Sequence, residues 1–173
     1  IYIGSRFFQF ISSSNSQMKN CSFWLINIEG TRFVKRENII QELGDFTMET
    51  NIYKNASRRG QCLSSTIYIT TLQKENIIEI PDIRKNRYVF TDGIGQISTD
   101  LAIKCAKILK CPKNFASAFQ IRFGGVKGVV AINPALEGDI ICIRPSMIKF
   151  KSEDLELGVV RAALHSLGYL NRQ

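Results

Sequence analysis

Two lysines stand where a compact positive charge could be aimed at phosphate. Lys127 lies between glycines in Gly124-Gly125-Val126-Lys127-Gly128, and Lys149 follows Arg144-Pro145-Ser146 in Met147-Ile148-Lys149-Phe150. Glycine neighbours let the backbone come close to a ligand, and an ammonium held there stabilises charge rather than moving protons. Taken alone, each lysine keeps two readings: a phosphate contact, or a surface charge at a strand edge. Arg58-Arg59 precedes Gly60-Gln61 and the hydroxyls of Ser64, Ser65 and Thr66. That doublet is either an edge facing phosphate with fixed guanidinium donors or a solvated turn. The acids offer less. Asp92, in Thr91-Asp92-Gly93-Ile94-Gly95, lacks the second carboxylate that a pair of metal ions needs, and it reads as a turn residue accepting its own backbone donors. The Gly-Ile-Gly element has neither the spacing nor the Gly-Lys-Ser/Thr of a phosphate loop. His165 stands alone in an apolar stretch, and Asp154 with Glu156 forms no acid–base pattern.

Short strands and glycine turns must position these groups. From Arg84 to Phe150, strands are predicted at Tyr88–Phe90, Phe119–Phe123, Gly128–Ile132, Ile140–Arg144 and Met147–Phe150. Alternation in Phe119–Phe123 puts Arg122 on the side of Gln120, and Gly124-Gly125 reads as a hairpin turn. Asp92, Gly93, Gly95, Gly124, Gly125 and Gly128 are assigned to turns and close backbone approaches. Ser98 or Thr99 caps a helix over about Asp100–Lys110, with Leu101, Cys105, Ile108 and Leu109 inward and Lys104, Lys107 and Lys110 toward solvent. Upstream, the pattern predicts a buried strand at Phe7–Ile11, a polar loop at Ser12–Ser16 and a strand at Ser22–Ile26. A short helix over Val34–Leu43 stopped by Gly44 follows, then strands at Ile67–Thr71 and Asn76–Pro81. Downstream, Val159–Leu167 reads as a helix capped by Gly168. An internal boundary is expected at Pro81–Arg87, which divides an approach segment of mixed strands and a short helix (1–83) from a β-rich core (84–152) and a connector (153–173). Many short strands with few helices predict a mainly β, α+β fold, a barrel or a compact β-rich domain.

The stretch 84–150 holds eleven Lys and Arg against four Asp and Glu, so nearly all of the net charge of +8 sits in one block. Such clustering favours polyanionic partners, nucleic acid and nucleotides first. At 45% hydrophobic and 22% charged, the 173 residues are ordinary globular material, with no apolar run of membrane-spanning length. The ends, Ile1-Tyr2-Ile3 and Leu170-Asn171-Arg172-Gln173, read as the middle of something larger. Five cysteines without a Cys-x-x-Cys pair, beside a single histidine, predict scattered buried thiols in a reducing compartment. The glycosylation patterns at Asn20 and Asn55 stand without other support for secretion. Nucleus and cytoplasm are the expected locations.

Taken together, Tyr88–Ser98, Ala118–Val130 and Arg144–Phe150 resemble the motifs of the cellular RNA-dependent RNA polymerases of eukaryotic RNA silencing. The likeness extends to Ser14–Met18, Trp24, Ser57–Thr66 and the closing Leu170–Gln173, and so covers essentially the whole chain. The resemblance implies an incomplete double-psi β-barrel over 84–152, the first of a pair that forms a polymerase core. Lys127 in its Gly-x-Lys-Gly-Val-Val setting and Lys149 in Arg-Pro-Ser-Met-x-Lys-Phe match basic residues of that core. By the resemblance both would bind the phosphates of the incoming nucleotide or the RNA backbone near the primer end, and Arg122 and Arg144 would support them or follow the RNA strand; Arg58 and Arg59 join these two as expected RNA-binding residues. Magnesium is implied for the whole polymerase, on an Asp-x-Asp-Gly-Asp signature that this sequence lacks. The partners implied are RNA template and product, nucleoside triphosphates and the rest of the polymerase, with no membrane. The segment by itself is then expected to be inactive. A rival reading is a non-enzymatic single-stranded nucleic-acid-binding β-domain, which lacks the interleaved exposed aromatics of a stacking platform. A purely structural barrel is a third.

Overall fold

Residues 1–29, 35–47, 49–112 and 116–164 are described by a computed structural model. They fall into two compact units, one of Ile1–Ser65 with Lys149–Glu153, the other of the described residues in Thr66–Ile148 and Asp154–Gln173.

In the first unit, β1 (Tyr2–Ile3) pairs with β2 (Arg6–Phe7), and β3 (Gln9–Ser12) pairs antiparallel with β4 (Trp24–Ile26). The serines expected as a loop instead start a helix. Ser14 Oγ accepts from Gln17 N and the Gln17 side chain accepts from Ser14 N, a reciprocal cap that begins α1 (Asn15–Lys19). Helix α2 (Arg36–Glu42) forms where a short helix is predicted, although Val34 lies outside the described residues. The Arg58-Arg59 stretch is not the solvated turn of one of its two readings. It belongs to α3 (Ile52–Cys62), capped by Asn51 Oδ1 accepting from Lys54 N. Gly60 lets this helix close on β3: a Cβ there would lie 2.3 Å from Ser13 O.

In the second unit, a mixed seven-stranded sheet carries the core. Its strands are β5 (Ile67–Thr71), β6 (Ile77–Glu79), β9 (Ile94–Ile97), β10 (Ala118–Phe123), β11 (Val126–Ile132), β12 (Ile141–Ile143) and β13 (Glu156–Ala163); β7 (Arg84–Lys85) and β8 (Tyr88–Val89) form a separate hairpin. The order is β5-β13-β10-β11-β9-β12-β6, with β11–β9 and β12–β6 parallel and the remaining pairs antiparallel. The fold is thus mixed α/β, with an open strand order among the described residues rather than a ladder joining β5 to β6. Strict alternation in β10 buries Phe119, Ile121 and Phe123 and leaves Gln120 and Arg122 on the opposite face. Gly124 and Gly125, both at positive φ (47° and 79°), close the two-residue turn that pairs Phe123 with Val126.

Helix α4 (Thr99–Ile108) crosses between β9 and β10. Buried Ser98 caps it, its Oγ accepting from Leu101 N and Ile140 N. Leu101, Ala102, Cys105 and Ala106 face the core, while Lys104, Lys107 and Lys110 are exposed. Ile108, expected inside, is 45% exposed because the buried arc centres between Cys105 and Leu109 and leaves it on the rim. Two further expectations change. Val159–Ala163 is the end of β13 rather than a helix, because it pairs with β10 across a bulge at Gln120/Ile121; His165, Leu167 and Gly168 lie outside the described residues. Met147–Phe150, expected as a strand, is not one: fully buried Met147 ends a 3₁₀ turn over Pro145–Met147, and Ile148 makes an isolated bridge to Val126. Among the described residues no helix is long and apolar enough to cross a membrane.

Candidate functional site

Lys127 is exposed on β11, directly across from half-buried Arg122 on β10. This register brings two positively charged residues to one face of the sheet, as neighbours across an antiparallel pair. Arg122 lies low against the sheet: Nη1 donates to Ile121 O at 2.7 Å, Nε is buried with no hydrogen-bond partner, and burial lowers the affinity of the guanidinium for its proton. Arg161 of β13, on the segment expected to be helical, pairs with Gln120 of β10 and adds an exposed cation to the same sheet face.

The strand carrying Lys127 is braced from the other side. Gly93, at φ 73°, places its carbonyl to accept from Val129 N at 2.9 Å, and a Cβ on Gly128 would lie 2.5 Å from that oxygen. Gly95 and Gly128 lie inside β9 and β11 rather than in turns, and their missing side chains make room for fully buried Met147. The bare side of Gly128 is therefore filled by the chain itself, not held open for a ligand.

The acceptor that organises this brace is Asp82, which carried no signal in the sequence. Its side chain is 2% exposed and accepts from Ser146 N (3.0 Å), Ser146 Oγ (2.6 Å) and Thr91 Oγ1 (3.2 Å), with Arg84 Nη2 at 3.8 Å. Ser146 Oγ in turn accepts from Gly93 N at 3.1 Å. The Ser146 hydroxyl, first among these contacts, holds the Asp82 carboxyl below its ordinary range. Asp92, expected to serve its own turn, is exposed, and among the described residues its carboxylate has no hydrogen-bond partner. Arg144 is 7% exposed; Nε donates to Ile94 O at 2.9 Å and Nη1 donates to Pro81 O, so its donors tie β9 to the Pro81 segment.

The first unit holds the other basic candidates. Arg58 pairs with Glu49 at 2.6 Å. The Arg59 guanidinium sits 5.7 Å from the centroid of the buried Phe46 ring, and its Nε is buried with no hydrogen-bond partner. Phe46 also packs on Phe150 at 4.9 Å, which fixes the main chain next to half-buried Lys149. Gly44, at φ 140°, leaves the space that the Phe150 ring occupies.

Cys105 and Cys142 are buried, Cys62 and Cys111 are half-buried, and Cys21 is exposed, contrary to the expectation that the thiols are buried throughout. Burial pushes the thiols of Cys62 and Cys105 up to about 11 and about 12, which leaves them poor nucleophiles at neutral pH. Among the described residues no three His, Cys, Asp or Glu side chains cluster closely enough to hold a metal ion. These residues do not fit the magnesium that the sequence resemblance implies. The absence of exposed aromatics, expected from the sequence, also fails: Tyr88 and Phe90 are 57% and 67% exposed beside basic residues.

The family profile described as "RdRP: RNA dependent RNA polymerase" matches residues 1–173. The chain is 39% identical over 170 residues to "Probable RNA-dependent RNA polymerase SHL2" of Oryza sativa subsp. japonica, covering 97% of this chain and 14% of that protein. It is 37% identical over 177 residues to "RNA-dependent RNA polymerase 1" of Arabidopsis thaliana, covering 100% of this chain and 16% of that protein. The chain thus spans about a sixth of the length of such relatives. Among solved structures, "RNA dependent RNA polymerase QDE-1 from Thielavia terrestris" matches with a TM-score of 0.72 and 22% identity, over 91% of this chain and 19% of that one, a likeness of fold. With a family match along its whole length and relatives of one kind in rice and Arabidopsis, the chain belongs to the eukaryotic RNA-dependent RNA polymerase family of the RNA-silencing type.

Proposed function

We propose that this chain is the phosphate-binding part of an RNA-directed RNA polymerase that transfers nucleoside monophosphates from nucleoside triphosphates to an RNA 3′ end. The observation that carries the reading is the cross-strand pair of cations, Arg122 and exposed Lys127, on a strand braced by Gly93 and Met147. Lys127 supplies a compact charge to the phosphates of the incoming nucleotide as charge builds on the leaving pyrophosphate, and Arg122 adds a second positive field behind it. Lys149 plays the companion role from its place beside Phe150, and Arg58 and Arg59 on α3 contribute to RNA binding. Arg144 acts as a positioning residue, since its donors reach Ile94 and Pro81.

In this reading β9, β10, β11 and β12 form the centre of a double-psi barrel over 84–152, whose sheet β5, β6 and β13 extend, and 153–173, which contains β13, leads toward a second barrel. The carboxylates for magnesium belong to another part of the polymerase, so the segment by itself is inactive. The partners are RNA template and product, nucleoside triphosphates and the remaining polymerase, in nucleus or cytoplasm.

The test is RNA-templated incorporation of labelled ribonucleotides by the whole polymerase with Lys127→Ala. Loss of one charge that stabilises a transition state costs roughly 100- to 1,000-fold in kcat. A folded variant that incorporates within two-fold of wild type refutes the assignment.

A further inference from the structure

The hairpin of β7 and β8 is a small basic and aromatic platform that the proposed phosphate contacts leave unused. Residues 83–90 contain Arg84, Lys85 and Arg87 and no acidic residue. Lys85 pairs with Tyr88, and the ladder continues to Phe90 N donating to Ile83 O at 2.9 Å. Because successive side chains alternate, Ile83, Lys85, Tyr88 and Phe90 share one face. That face is open: Ile83 is 59% exposed, and both rings are more than half exposed. The Arg87 guanidinium lies 5.3 Å from the centroid of the Tyr88 ring and donates to its hydroxyl at 3.2 Å. Asn86, at φ 55°, makes the tight reversal.

The hairpin has a fixed base. Ile83 N donates to Thr91 Oγ1 at 2.9 Å, Thr91 Oγ1 donates to Asp82, and Arg84 on the opposite face sits 3.8 Å from the same carboxylate. The platform is thereby tied to the Asp82–Ser146 network that braces the strand of Lys127. Rings two residues apart on a strand stand about 6.7 Å apart, close to two base steps of about 3.4 Å each. Exposed rings flanked by cations, with no carboxylate among them, suit an unpaired strand whose bases stack while its phosphates meet Lys85 and Arg87. A duplex keeps its base faces covered and cannot use the rings.

We propose that the β7–β8 hairpin binds single-stranded RNA, stacking bases on Tyr88 and Phe90 and holding phosphates with Lys85 and Arg87. The inference rests on the polymerase reading for the identity of its ligand.

The experiment titrates the whole polymerase into a fluorescein-labelled single-stranded 12-mer of uridylate, followed by anisotropy, with a blunt RNA duplex as control. Tyr88→Ala with Phe90→Ala is expected to weaken single-strand binding roughly ten-fold per ring, with duplex binding and melting temperature unchanged. Tyr88→Phe with Phe90→Trp restores it. Lys85→Ala with Arg87→Ala reduces the salt dependence by about 0.7 per charge removed. Single-strand affinity within two-fold of wild type in the ring variant overturns the proposal, as does an equal loss for single strand and duplex. A fall in melting temperature with unchanged RNA affinity also overturns it, because the rings would then be packing against another part of the polymerase. A wild type that binds through the rings yet incorporates no ribonucleotide leaves this inference standing and refutes the polymerase reading. RNA synthesis with ring variants that bind normally refutes the inference alone.

Discussion

Replacing Gly128 by alanine tests whether the brace beneath Lys127 is as tight as its distances imply. The new Cβ would lie 2.5 Å from Gly93 O, 2.7 Å from Met147 Cε and 3.2 Å from Met147 Cγ, against the 3.0 Å at which real contacts of this kind begin. Met147 is a flexible chain in a fully buried position and can yield a little, but Gly93 O is backbone. That oxygen accepts from Val129 N, the residue after Gly128, while Gly93 N is held by Ser146 Oγ. Moving it therefore strains one hydrogen bond and disturbs another. Overpacking of this kind costs about 1–3 kcal/mol, and a weakened buried hydrogen bond adds about 1 kcal/mol. The expected loss is about 2–4 kcal/mol, or a fall in Tm of about 2–4 °C for each kcal/mol in a chain of this length. Urea denaturation of the 173-residue chain reads it directly. Met147→Ala removes one of the two contacts under 3.0 Å and the tight one at 3.2 Å, so the double variant should be less destabilised than the sum of the singles, by about 1 kcal/mol. A Gly128→Ala chain within 0.5 kcal/mol of wild type, to the ~0.5 kcal/mol accuracy of such sums, refutes the packing argument and returns Gly128 to the role of a ligand-facing gap.

Two further outcomes are expected of the groups around that brace. Arg144→Met strips the partners from two carbonyls near a buried site and should cost about 2–4 kcal/mol; Arg144→Lys should recover less than half, because one ammonium cannot span both acceptors. Equal stability of the Arg and Lys forms by urea denaturation would refute this. Asp82 prefers its ionised form in the folded chain, since Ser146 lowers its pKa, so its contribution is intact above the ordinary value of about 3.9 and is lost as pH falls through the lowered folded value. Asp82→Asn should flatten the fall of Tm below about pH 4, and identical acid profiles for both proteins would show that the network does not depend on charge.

The sheet centre was legible in the sequence because one face of β10 is buried and the other is not, so Phe119, Ile121 and Phe123 alternate cleanly with Gln120 and Arg122. Helix α4 was legible for a local reason, its serine cap and amphipathic spacing. Strand β13 was misread because its pairing shifts at Leu157/Gly158 and again opposite Gln120/Ile121, which breaks the two-residue period and leaves Leu157, Gly158 and Val159 buried in a row. Helix α3 was missed because Gly60 reads as a breaker, whereas it is the point of contact with β3, and Ile52 and Tyr53 lie exposed where a buried stripe was sought. At the site, the exposed lysine between glycines was a local signal. Asp82 and Ser146 are 64 residues apart, and nothing near either one announces the pairing.

The two glycines between β10 and β11 carry a consequence out of proportion to their size. Their positive φ angles close the hairpin with Phe123 opposite Val126, and that single choice sets the parity of every residue of β11. A slip by one residue would turn Val126 and Val130 to the outside and drive the Lys127 ammonium toward Phe119 and Ile121. Whether the chain presents a cation or hides one is thus decided two residues upstream, in a turn with no charge and no side chain of its own.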